Sequence, residues 1–555
     1  METKYIETDL LIIGAGSAGC MAAIRAKELQ PDLKVTFFEK GDIKYSGSIA
    51  RGMDALNIVA IPNYTSPELY VESASLGCDG VLDQESSYVM ADRSYELLKK
   101  IEKWGVYFPV DKNGKYRVLQ YHVKGNFQVA MEEPNLKTMI AARALENGTQ
   151  VVNRIMGLEL LMDDERVAGA IGMNVRTGEL IACKAKAVII TAGGQARFSL
   201  PNSGYLYGTF DYPGNSGDGY VMAHNAGAEL TGMEDTCRSI IIKDANMPLL
   251  AVTITRGARL LDIADNILME GYCHSYGVMD NAERSGQGPL RIRLSHLPLE
   301  TIQEIEHTLF TTERPAQERF FKGRNVNIRK DDIELWPTEF SLCGGHGSAG
   351  IYVDKKTATS VPGLYAAGDV ASVPGQHLSG ALVFGEVAAE QAVQFIQNNS
   401  GVSLDKQQVK KSEEKRKLRS NSTKGEIGVK ELEYKVRRFI GDYVVSPKNE
   451  YKLNRWLECS KGFKEEIETQ VRIKNGHDLS KLYEVEHIVQ CADYSATASL
   501  LRKESRWGFN HYRSDFPETD HDHWTKHILV KKNGTTNELF AETKAVQDLN
   551  GKEVL

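Results

Sequence analysis

The chain has 555 residues, 42% of them hydrophobic and 25% charged, which is the composition of a soluble globular protein and a length that predicts several domains. Its net charge of −7 offers no electrostatic surface for nucleic acid, and no run of about 18 apolar residues predicts a membrane span. The eight cysteines are scattered without a Cys-x-x-Cys pair. Their spacing argues against an iron–sulfur cluster or zinc site held by this chain, and the lack of a secretory leader indicates a reducing cytoplasm.

The N-terminal stretch predicts a dinucleotide-binding turn between a strand and a helix. Apolar residues at 9–13 run into the glycine motif GAGSAG at 14–19, and residues 20–29 have a helical pattern. In this motif the first glycine permits the turn, the second lets the backbone approach a pyrophosphate, and the third lets helix and strand pack closely. A second strand ends in Glu39, about 20 residues beyond the last glycine, where a carboxylate binds a ribose diol. A glycine turn without a ligand is the alternative, but the complete pattern favours a cofactor site.

The next segments extend this domain. Small residues dominate at 46–52, as a loop needs when its backbone lies against a flat ring, and a plain turn-rich loop is the alternative. The patterns that follow predict helices at 88–104 and 136–147, a hairpin of 167–175 and 180–183, and a buried strand at 187–194. That strand ends in Ala192-Gly193-Gly194, which gives backbone groups close access to the same cofactor.

The second half of the chain predicts an insertion and a return to the first domain. Residues 215–228 form a glycine turn that opens a helix, whose amides could receive phosphate, although a simple helix start has the same pattern. The strand, glycine and carboxylate signal returns at 363–369. The predicted division is 1–229 and 336–400 for the cofactor-binding domain, 230–335 for the inserted domain, 401–425 for a linker or solvated helix, and 426–555 for a helical C-terminal domain.

An ordered set of motifs covers nearly the whole chain. It consists of GAGSAG at 14–19, SGS at 46–48, AGG at 192–194, GDG at 217–219, Gly368-Asp369 and ESRWGFNHYRSDFP at 504–517. The set resembles the fumarate reductase/succinate dehydrogenase flavoprotein superfamily. Within that superfamily the stretches at 46–57, 227–234, 286–293 and 344–351 are most similar to the α subunits of adenylylsulfate (APS) reductases.

The resemblance implies an α/β fold: a Rossmann-type FAD-binding domain with an inserted α+β capping domain and a helical C-terminal domain. It also implies FAD as the cofactor and, as partner in a hetero-oligomer, a ferredoxin-like [4Fe–4S] β subunit. Members with covalent FAD attach it to a histidine at the position of Gly47, so we expect a non-covalent flavin here. The predicted cofactor-binding residues are Gly14, Gly16, Ser17, Ala18, Gly19, Glu39, Lys40, Ser46, Gly47, Ser48, Arg51, Gly52, Ala192, Gly193, Gly194, Asn215, Ser216, Asp218, Gly368, Asp369, Ser379, Gly380, Ala381 and Leu382.

The resemblance also implies where the substrate lies. Fumarate-type enzymes clamp a dicarboxylate with two histidines and an arginine, because charged carboxylates in a closed site need cationic partners, and an arginine with a Glu–Arg relay supplies the proton. This chain keeps one histidine and the relay arginine but has Thr253 in place of the relay glutamate and Ile241 near the second histidine. The predicted catalytic residues are His346, Arg256, Arg291, Arg293, His377, Asn57 and Glu133.

These differences in sequence argue against both reactions known in the family, fumarate reduction and adenylylsulfate reduction. The tryptophan that APS reductases place over the flavin is Phe210 here, and their substrate-binding arginine is Ile241. We therefore expect a pocket remodelled for a less anionic substrate, with an electron-deficient double bond favoured and a sulfur compound second. The alternative is an electron-transfer or assembly flavoprotein whose pocket has lost its chemistry.

Overall fold

The computed structural model describes residues 3–146, 148–201, 211–245, 247–270, 276–313, 316–343, 349–399, 401–534 and 536–553. His346 and Phe210 lie outside these residues. The helices are α1 (Ser17–Leu29), α2 (Pro67–Gly77), α3 (Gln84–Lys103), α4 (Leu136–Glu146), α5 (Asp218–Asn225), α6 (Leu250–Ile254), α7 (Tyr276–Arg284), α8 (Leu299–His307), α9 (Ala316–Gly323), α10 (His377–Asn398), α11 (Lys406–Ser420), α12 (Val429–Tyr443), α13 (Glu450–Thr469), α14 (Gly476–Leu501) and α15 (His521–Trp524).

The strands form one large sheet and several smaller ones. They are β1 (Lys4–Ile13), β2 (Val35–Glu39), β3 (Ala55–Asn57), β4 (Val118–Leu119), β5 (Gln128–Ala130), β6 (Gln150–Asn153), β7 (Ile155–Asp163), β8 (Arg166–Asn174), β9 (Leu180–Ile190), β10 (Leu230–Thr231), β11 (Ile240–Ile242), β12 (Arg259–Leu261), β13 (Ile267–Glu270), β14 (Arg291–Arg293), β15 (Ile333–Pro337), β16 (Gly350–Ile351), β17 (Leu364–Ala366), β18 (Ile427–Gly428), β19 (Val471–Arg472), β20 (Lys526–Lys532) and β21 (Leu539–Ala545).

The central sheet has seven strands and carries the cofactor-binding domain. Its order is β6-β2-β1-β9-β8-β7, with β17 pairing alongside β9. Strands β6, β2, β1, β9 and β17 run parallel, whereas β7 and β8 run antiparallel. The second half of β1 is a continuous buried apolar run and β2 is buried over its whole length, as is typical of parallel strands covered on both faces. The second strand of the predicted hairpin, at 180–183, and the buried strand predicted after it are parts of one longer strand, β9, which ends at Ile190.

Helices α1 and α10 pack closely beside this sheet because small residues line their contact. A Cβ added to Gly385 of α10 would overlap the backbone oxygen of Ala18 in α1. Most of α10 is buried, including its first turn, where Leu378, Ser379 and Gly380 are shielded from solvent. The two helix N-termini are therefore held near the ends of the central strands.

A second hydrophobic core, separate from the main one, is built from residues between Ile240 and Leu335. The five-stranded sheet β11-β15-β14-β12-β13 forms its framework. We call residues 239–337 the cap. Residues 230–231, which the sequence assigns to the inserted domain, pair with β16 and β20 outside this core.

The C-terminal part contains the helices α12, α13 and α14, which pack against one another, and also a hairpin that the sequence analysis did not anticipate. Strands β20 and β21 pair along their whole length and extend the sheet of β16 and β10. The segment at 401–425 contains the helix α11, in which Val409 and Arg419 are buried. None of the helices in the described ranges combines the length and apolar character that a bilayer-spanning helix requires.

Candidate active site

One cavity begins at the glycine turn after β1 and continues to the cap. Predicted cofactor-binding residues that line it are Gly14, Gly16, Ser17, Ala18, Glu39, Lys40, Ser46, Gly47, Ser48, Arg51, Ala192, Gly193, Asn215, Asp218, Gly368, Asp369, Ser379 and Ala381. Asn57 and His377 also line it, together with the cap residues Ser239, Ile240, Pro248, Leu250 and Ala251. The cavity therefore has a nucleotide end and a cap end.

The three glycines of the first turn have different roles. Gly14 has φ +99°, and a Cβ there would come within 2.5 Å of the Thr191 backbone oxygen. A Cβ on Gly19 would overlap the Gly14 carbonyl oxygen, so this glycine lets α1 pack against the turn. A Cβ on Gly16 would meet no protein atom within 4 Å. Gly16 borders the cavity, so its missing side chain leaves room for a ligand rather than for protein.

Glu39 is fixed at the end of β2 by backbone donors. The Ala15 N–H donates to Glu39 Oε2 at 2.7 Å, and the Gly41 N–H donates to Oε1 at 2.6 Å. Only 4% of the residue surface is exposed. Each carboxylate oxygen can accept more than one hydrogen bond, so Glu39 retains capacity for a ribose hydroxyl.

Two buried hydroxyl groups lining the cavity have no hydrogen-bond partner among the described residues: Ser46 Oγ and Ser379 Oγ. A buried hydroxyl without a partner is destabilising, so each is suited to a polar ligand. Ser379 lies in the first turn of α10, where free backbone N–H groups favour anions. With the open space at Gly16, these features fit FAD, which supplies two-electron chemistry when bound.

Lys40 is more a structural cation than a free cofactor ligand. Its Nζ donates to Asp218 Oδ2 at 2.8 Å and to Ser216 Oγ at 3.1 Å, and it pairs with Glu484 Oε1 at 2.9 Å. Although burial opposes its charge, the carboxylates of Asp218 and Glu484 raise the pKa of Lys40. Because Glu484 lies in α14, Lys40 joins the nucleotide end to the C-terminal helices.

The carboxylates of this cluster are held ionised. Burial alone would raise the pKa of Glu484, but Lys40, Arg197 and Lys481 lower it to about 2. The pKa of Asp218 is likewise held far below its usual value, against the effect of burial, by Lys40 and by the hydrogen bond to His487, whose Nδ1 lies 2.8 Å from Asp218 Oδ1. Glu484 could not be predicted from the sequence, because it lies over 400 residues from Lys40 along the chain, at position 484 against 40.

At the cap end, Arg256 connects the cap to the cavity wall. Its Nε donates to Glu304 Oε1 of α8 at 2.6 Å, and its Nη1 lies 3.5 Å from Asp54 Oδ2. Asp54 lines the cavity, so it stands between Arg256 and the cavity. We call the residues outside the cap the body. Glu304 also pairs with Arg117 of the body, and both arginines lower the pKa of Glu304 although burial opposes them. Two ion pairs therefore join cap and body.

An aromatic group closes the wall beside this ion pair. Tyr121 lines the cavity and packs against the cap core, and its ring meets those of His377 and His122 edge-on, with centroids 6.0 and 5.4 Å apart. His377 begins α10 with φ +47°, an uncommon conformation for a residue with a side chain. Both ring nitrogens of His122 are buried without a partner in the described part of the chain, and burial lowers the pKa of His122 to about 4.

Two carboxamides lie side by side in the same wall. Asn57 of β3 is directly opposite Gln128 of β5 in an antiparallel pair, and both line the cavity. Directly opposite residues in such a pair share one face of the sheet, with their Cβ atoms about 5 Å apart. The neighbouring pair, Leu56 and Val129, belongs to the main core, although Leu56 also lines the cavity. We call Asn57 and Gln128 the amide pair.

Comparison with known proteins agrees with this geometry. A family profile described as FAD binding domain matches residues 9–381, and a second, described as fumarate reductase flavoprotein C-term, matches residues 434–551. The chain belongs to this family of FAD-binding flavoproteins. It is an FAD-dependent oxidoreductase, as the resemblance implied.

Similar proteins match over most of this flavoprotein. An uncharacterized FAD-dependent oxidoreductase of Methanocaldococcus jannaschii is 25% identical over 95% of this chain and 96% of its own length. A fumarate reductase (CoM/CoB) subunit of Methanothermobacter marburgensis is 24% identical over 96% of this chain and 98% of its own. The structure of adenylylsulfate reductase from Archaeoglobus fulgidus superposes with a TM-score of 0.90 at 24% identity, covering 100% of this chain and 98% of that one. That superposition confirms the fold.

Several predicted residues of the flavoprotein do not line the cavity. Gly19, Gly52, Gly194, Ser216, Gly380 and Leu382 are not among the lining residues. Arg291 and Arg293 lie in β14 of the cap and pair with Asp265 and Asp332, with Nη–O distances of 2.7–3.0 Å.

These two arginines are engaged within the cap sheet, so the structure does not bring them to the cavity as a proton donor. Glu133 accepts a hydrogen bond from the Asn135 N–H near the start of α4 and is also outside the lining. His346, at the centre of the predicted pocket, lies outside the described residues. The sequence analysis missed Asp54, Tyr121, His122 and Gln128, of which only Asp54 lies in a recognised motif, the stretch at 46–57.

Proposed function

We propose that this chain is the catalytic flavoprotein subunit of a complex in which FAD exchanges two electrons with a small organic substrate. The observation that carries the proposal is the cavity shared by the glycine turn of the body and by Ser239, Ile240 and Leu250 of the cap. A cofactor bound at the nucleotide end would extend toward a compartment that the cap closes. Such a compartment would exclude water from the reacting atoms, which limits side reactions during transfer of two electrons between flavin and substrate.

The substrate that we favour has an electron-deficient double bond, and a sulfur compound is second. Arg256 is bound by Asp54 and Glu304, and Arg291 and Arg293 are bound within the cap. The dicarboxylate clamp of fumarate-type enzymes therefore has no evident counterpart among the described residues of the cavity. This arrangement supports a reaction other than fumarate or adenylylsulfate reduction.

The deciding experiment is anaerobic reduction of the flavin followed by reoxidation with a substrate panel. The panel includes fumarate, adenylylsulfate, uncharged conjugated alkenes and small sulfur compounds. We expect at least one alkene to oxidise the flavin faster than buffer does. If no compound does so, the chain is better described as an electron-transfer flavoprotein without substrate chemistry of its own.

We further propose that electrons pass through a ferredoxin-like [4Fe–4S] partner in the cytoplasm. The resemblance to APS reductases supports this proposal, and similar proteins are named as subunits. Purification of the tagged chain from its native host should recover a small iron–sulfur protein. Recovery of the flavoprotein alone would contradict the proposed hetero-oligomer.

We also propose that the flavin is bound without a covalent bond. Gly47 lines the cavity with φ +86° and offers no side chain for attachment. Acid precipitation should therefore release all of the yellow colour into the supernatant. A yellow pellet would show that another residue forms a covalent bond to the flavin.

A further inference from the structure

The charged side chains at the cap end of the cavity differ from those expected of a site that binds an anionic substrate. The side chain placed there by its contact with the cap is a carboxyl group, that of Asp54, which pairs with Arg256. Arg51, the lining arginine nearest to it in the chain, already faces Asp211 at 3.6 Å. Over the described part of the lining, carboxylates outnumber lysines and arginines, and bound FAD would add the negative charge of its pyrophosphate.

This pattern is unfavourable for an anionic substrate. Moving a carboxylate or sulfate from water into a closed site is costly unless cationic donors replace its hydration. Asp54, which faces Arg256 at 3.5 Å, offers no cationic donor to such a group. The cations near the cap, Arg256 and Arg293, are engaged with carboxylates of the protein.

The amide pair offers a different kind of recognition. Carboxamides provide N–H donors and carbonyl acceptors without net charge. Asn57 is buried, with 4% of its surface exposed; the buried Tyr70 hydroxyl lies close to its side chain, but Asn57 Nδ2 makes no hydrogen bond of good geometry among the described residues. Gln128 lies directly opposite on the same face, half-buried, and lines the cavity as well. Two adjacent amides can therefore hold one polar, uncharged group.

The wall beside the amide pair contains several apolar side chains, together with the polar Ser239 and His377. Ile240, Pro248, Leu250 and Ala251 of the cap face the cavity, and Tyr121 contributes an aromatic ring. Apolar walls with a few convergent polar groups are typical of sites for uncharged organic molecules. A carbonyl oxygen can accept from the amide N–H groups while the carbon skeleton contacts these side chains.

We propose that the cap end binds an uncharged α,β-unsaturated carbonyl compound, such as an amide, ketone or ester, and that Asn57 and Gln128 determine this specificity by holding its carbonyl group. This inference rests on the proposed oxidoreductase function and narrows its substrate class. It separates this chain from enzymes that recognise a dicarboxylate or a sulfate by cationic side chains.

Fumaramide and fumarate are matched probes, because they share one carbon skeleton and differ in charge. Each is titrated into the oxidised holoenzyme, and binding is measured from the change in the flavin absorption spectrum and from the shift in melting temperature. We expect fumaramide to bind at least about tenfold more tightly than fumarate, which corresponds to about 1.4 kcal/mol. Tighter binding of fumarate, or binding of neither probe, would overturn the proposal.

Two variants test the role of the amide pair. Gln128→Leu removes a donor and should weaken fumaramide binding by about two- to tenfold. Gln128→Arg adds a cation and should reverse the preference toward fumarate. The matched control is Gln394→Leu, at an exposed position of α10. If Gln128→Leu binds fumaramide as Gln394→Leu does, or if Gln128→Arg leaves the preference unchanged, the assignment is wrong.

The binding readout separates this inference from the proposed function. If fumaramide binds preferentially but no panel compound reoxidises the flavin, the specificity stands and the oxidoreductase proposal fails. If an anionic alkene or a sulfur compound reoxidises the flavin and binds more tightly than the diamide, the oxidoreductase proposal stands and the specificity fails. Flavin content is measured for every variant, so that loss of FAD is not mistaken for loss of the probe.

Discussion

The two ends of the cavity are built in different ways. At the nucleotide end, backbone geometry decides the function: Gly14 and Gly19 permit close approach, Gly16 leaves room for a ligand, and helix N-termini face the space. At the cap end, side chains from distant segments decide it, including Asp54, Gln128 and Arg256. A local motif therefore forms the cofactor end of the cavity, whereas the cap end is formed by residues from segments that are distant in the sequence.

The largest effect should follow from filling the nucleotide end. Gly16→Leu places a side chain in space that no protein atom occupies, and the backbone at Gly16, with φ −70°, accepts any residue. We therefore expect a folded protein that has lost its FAD. The measurement is the ratio of flavin to protein after gel filtration, together with the circular dichroism spectrum.

Gly462→Leu is the matched control, because Gly462 is exposed in α13 and a Cβ there meets no atom within 4 Å. This variant should retain the parent flavin content. A Gly16→Leu protein that retains stoichiometric FAD would show that the pyrophosphate does not lie at this turn.

The next effect concerns the cluster that anchors the nucleotide end to α14. Lys40→Met leaves the carboxylates of Asp218 and Glu484 without the cation that lies within 3 Å of both, at 2.8 and 2.9 Å. Removing one partner of a buried ion pair costs about 3–5 kcal/mol in the free energy of unfolding. Urea denaturation of the holoprotein measures this loss. Lys410→Met, in the exposed part of α11, is the control and should change the free energy by less than about 0.5 kcal/mol.

The same cluster predicts a dependence on pH. The pKa of Glu484 is lowered from 4.5 to about 2 in the folded protein, so its ionised form stabilises the fold. That contribution is complete above pH 4.5 and is lost as the pH falls toward 2. Glu484→Gln should therefore flatten the fall in the free energy of unfolding over this range. An unchanged slope would show that other carboxylates dominate acid unfolding.

The sequence was sufficient for the nucleotide end because its signals are local. The glycine spacing, the strand before it and Glu39 after it specify one backbone arrangement, and the family comparison confirms the FAD-binding fold. The parallel strands were also readable, since their apolar runs are continuous. Lys40 lines the cavity. Its partner Glu484 depends on the packing of α14, which no local pattern encodes.

The cap end was less readable for a physical reason. An arginine has the same local sequence pattern whether its side chain faces a substrate or a carboxylate of the protein. Arg291 and Arg293 were expected to act on the substrate, but they face Asp265 and Asp332 across the cap sheet. Gln128 could be found only through its register with Asn57, which depends on the pairing of two short strands.

Substitutions in the ion pairs between cap and body should have a smaller effect on probe binding and on stability. Arg256→Gln removes the partner of Asp54 and one partner of Glu304, and a hydrogen bond to a charged group is worth about 1.5–3 kcal/mol. We expect weaker probe binding and faster proteolysis within the cap. The exposed Arg117→Gln breaks the other pair of Glu304 and should have an effect below about 1 kcal/mol. Equal effects of the two variants would show that Arg256 does not position the cap-end wall.

Substitution of an arginine that is paired within the cap sheet should have the smallest effect on flavin content, probe binding and reoxidation. Arg293 has 32% of its side chain exposed and pairs with Asp332 and Asp265, and partly exposed ion pairs contribute at most about 1 kcal/mol. Arg293→Gln should therefore leave the flavin content, the binding of both alkene probes and the rate of flavin reoxidation within about twofold of the parent. Rapid-mixing measurement of reoxidation tests this directly, because loss of a proton donor would slow it by about a hundredfold or more. Such a loss would mean that the cap moves during turnover far enough to bring Arg293 to the cavity.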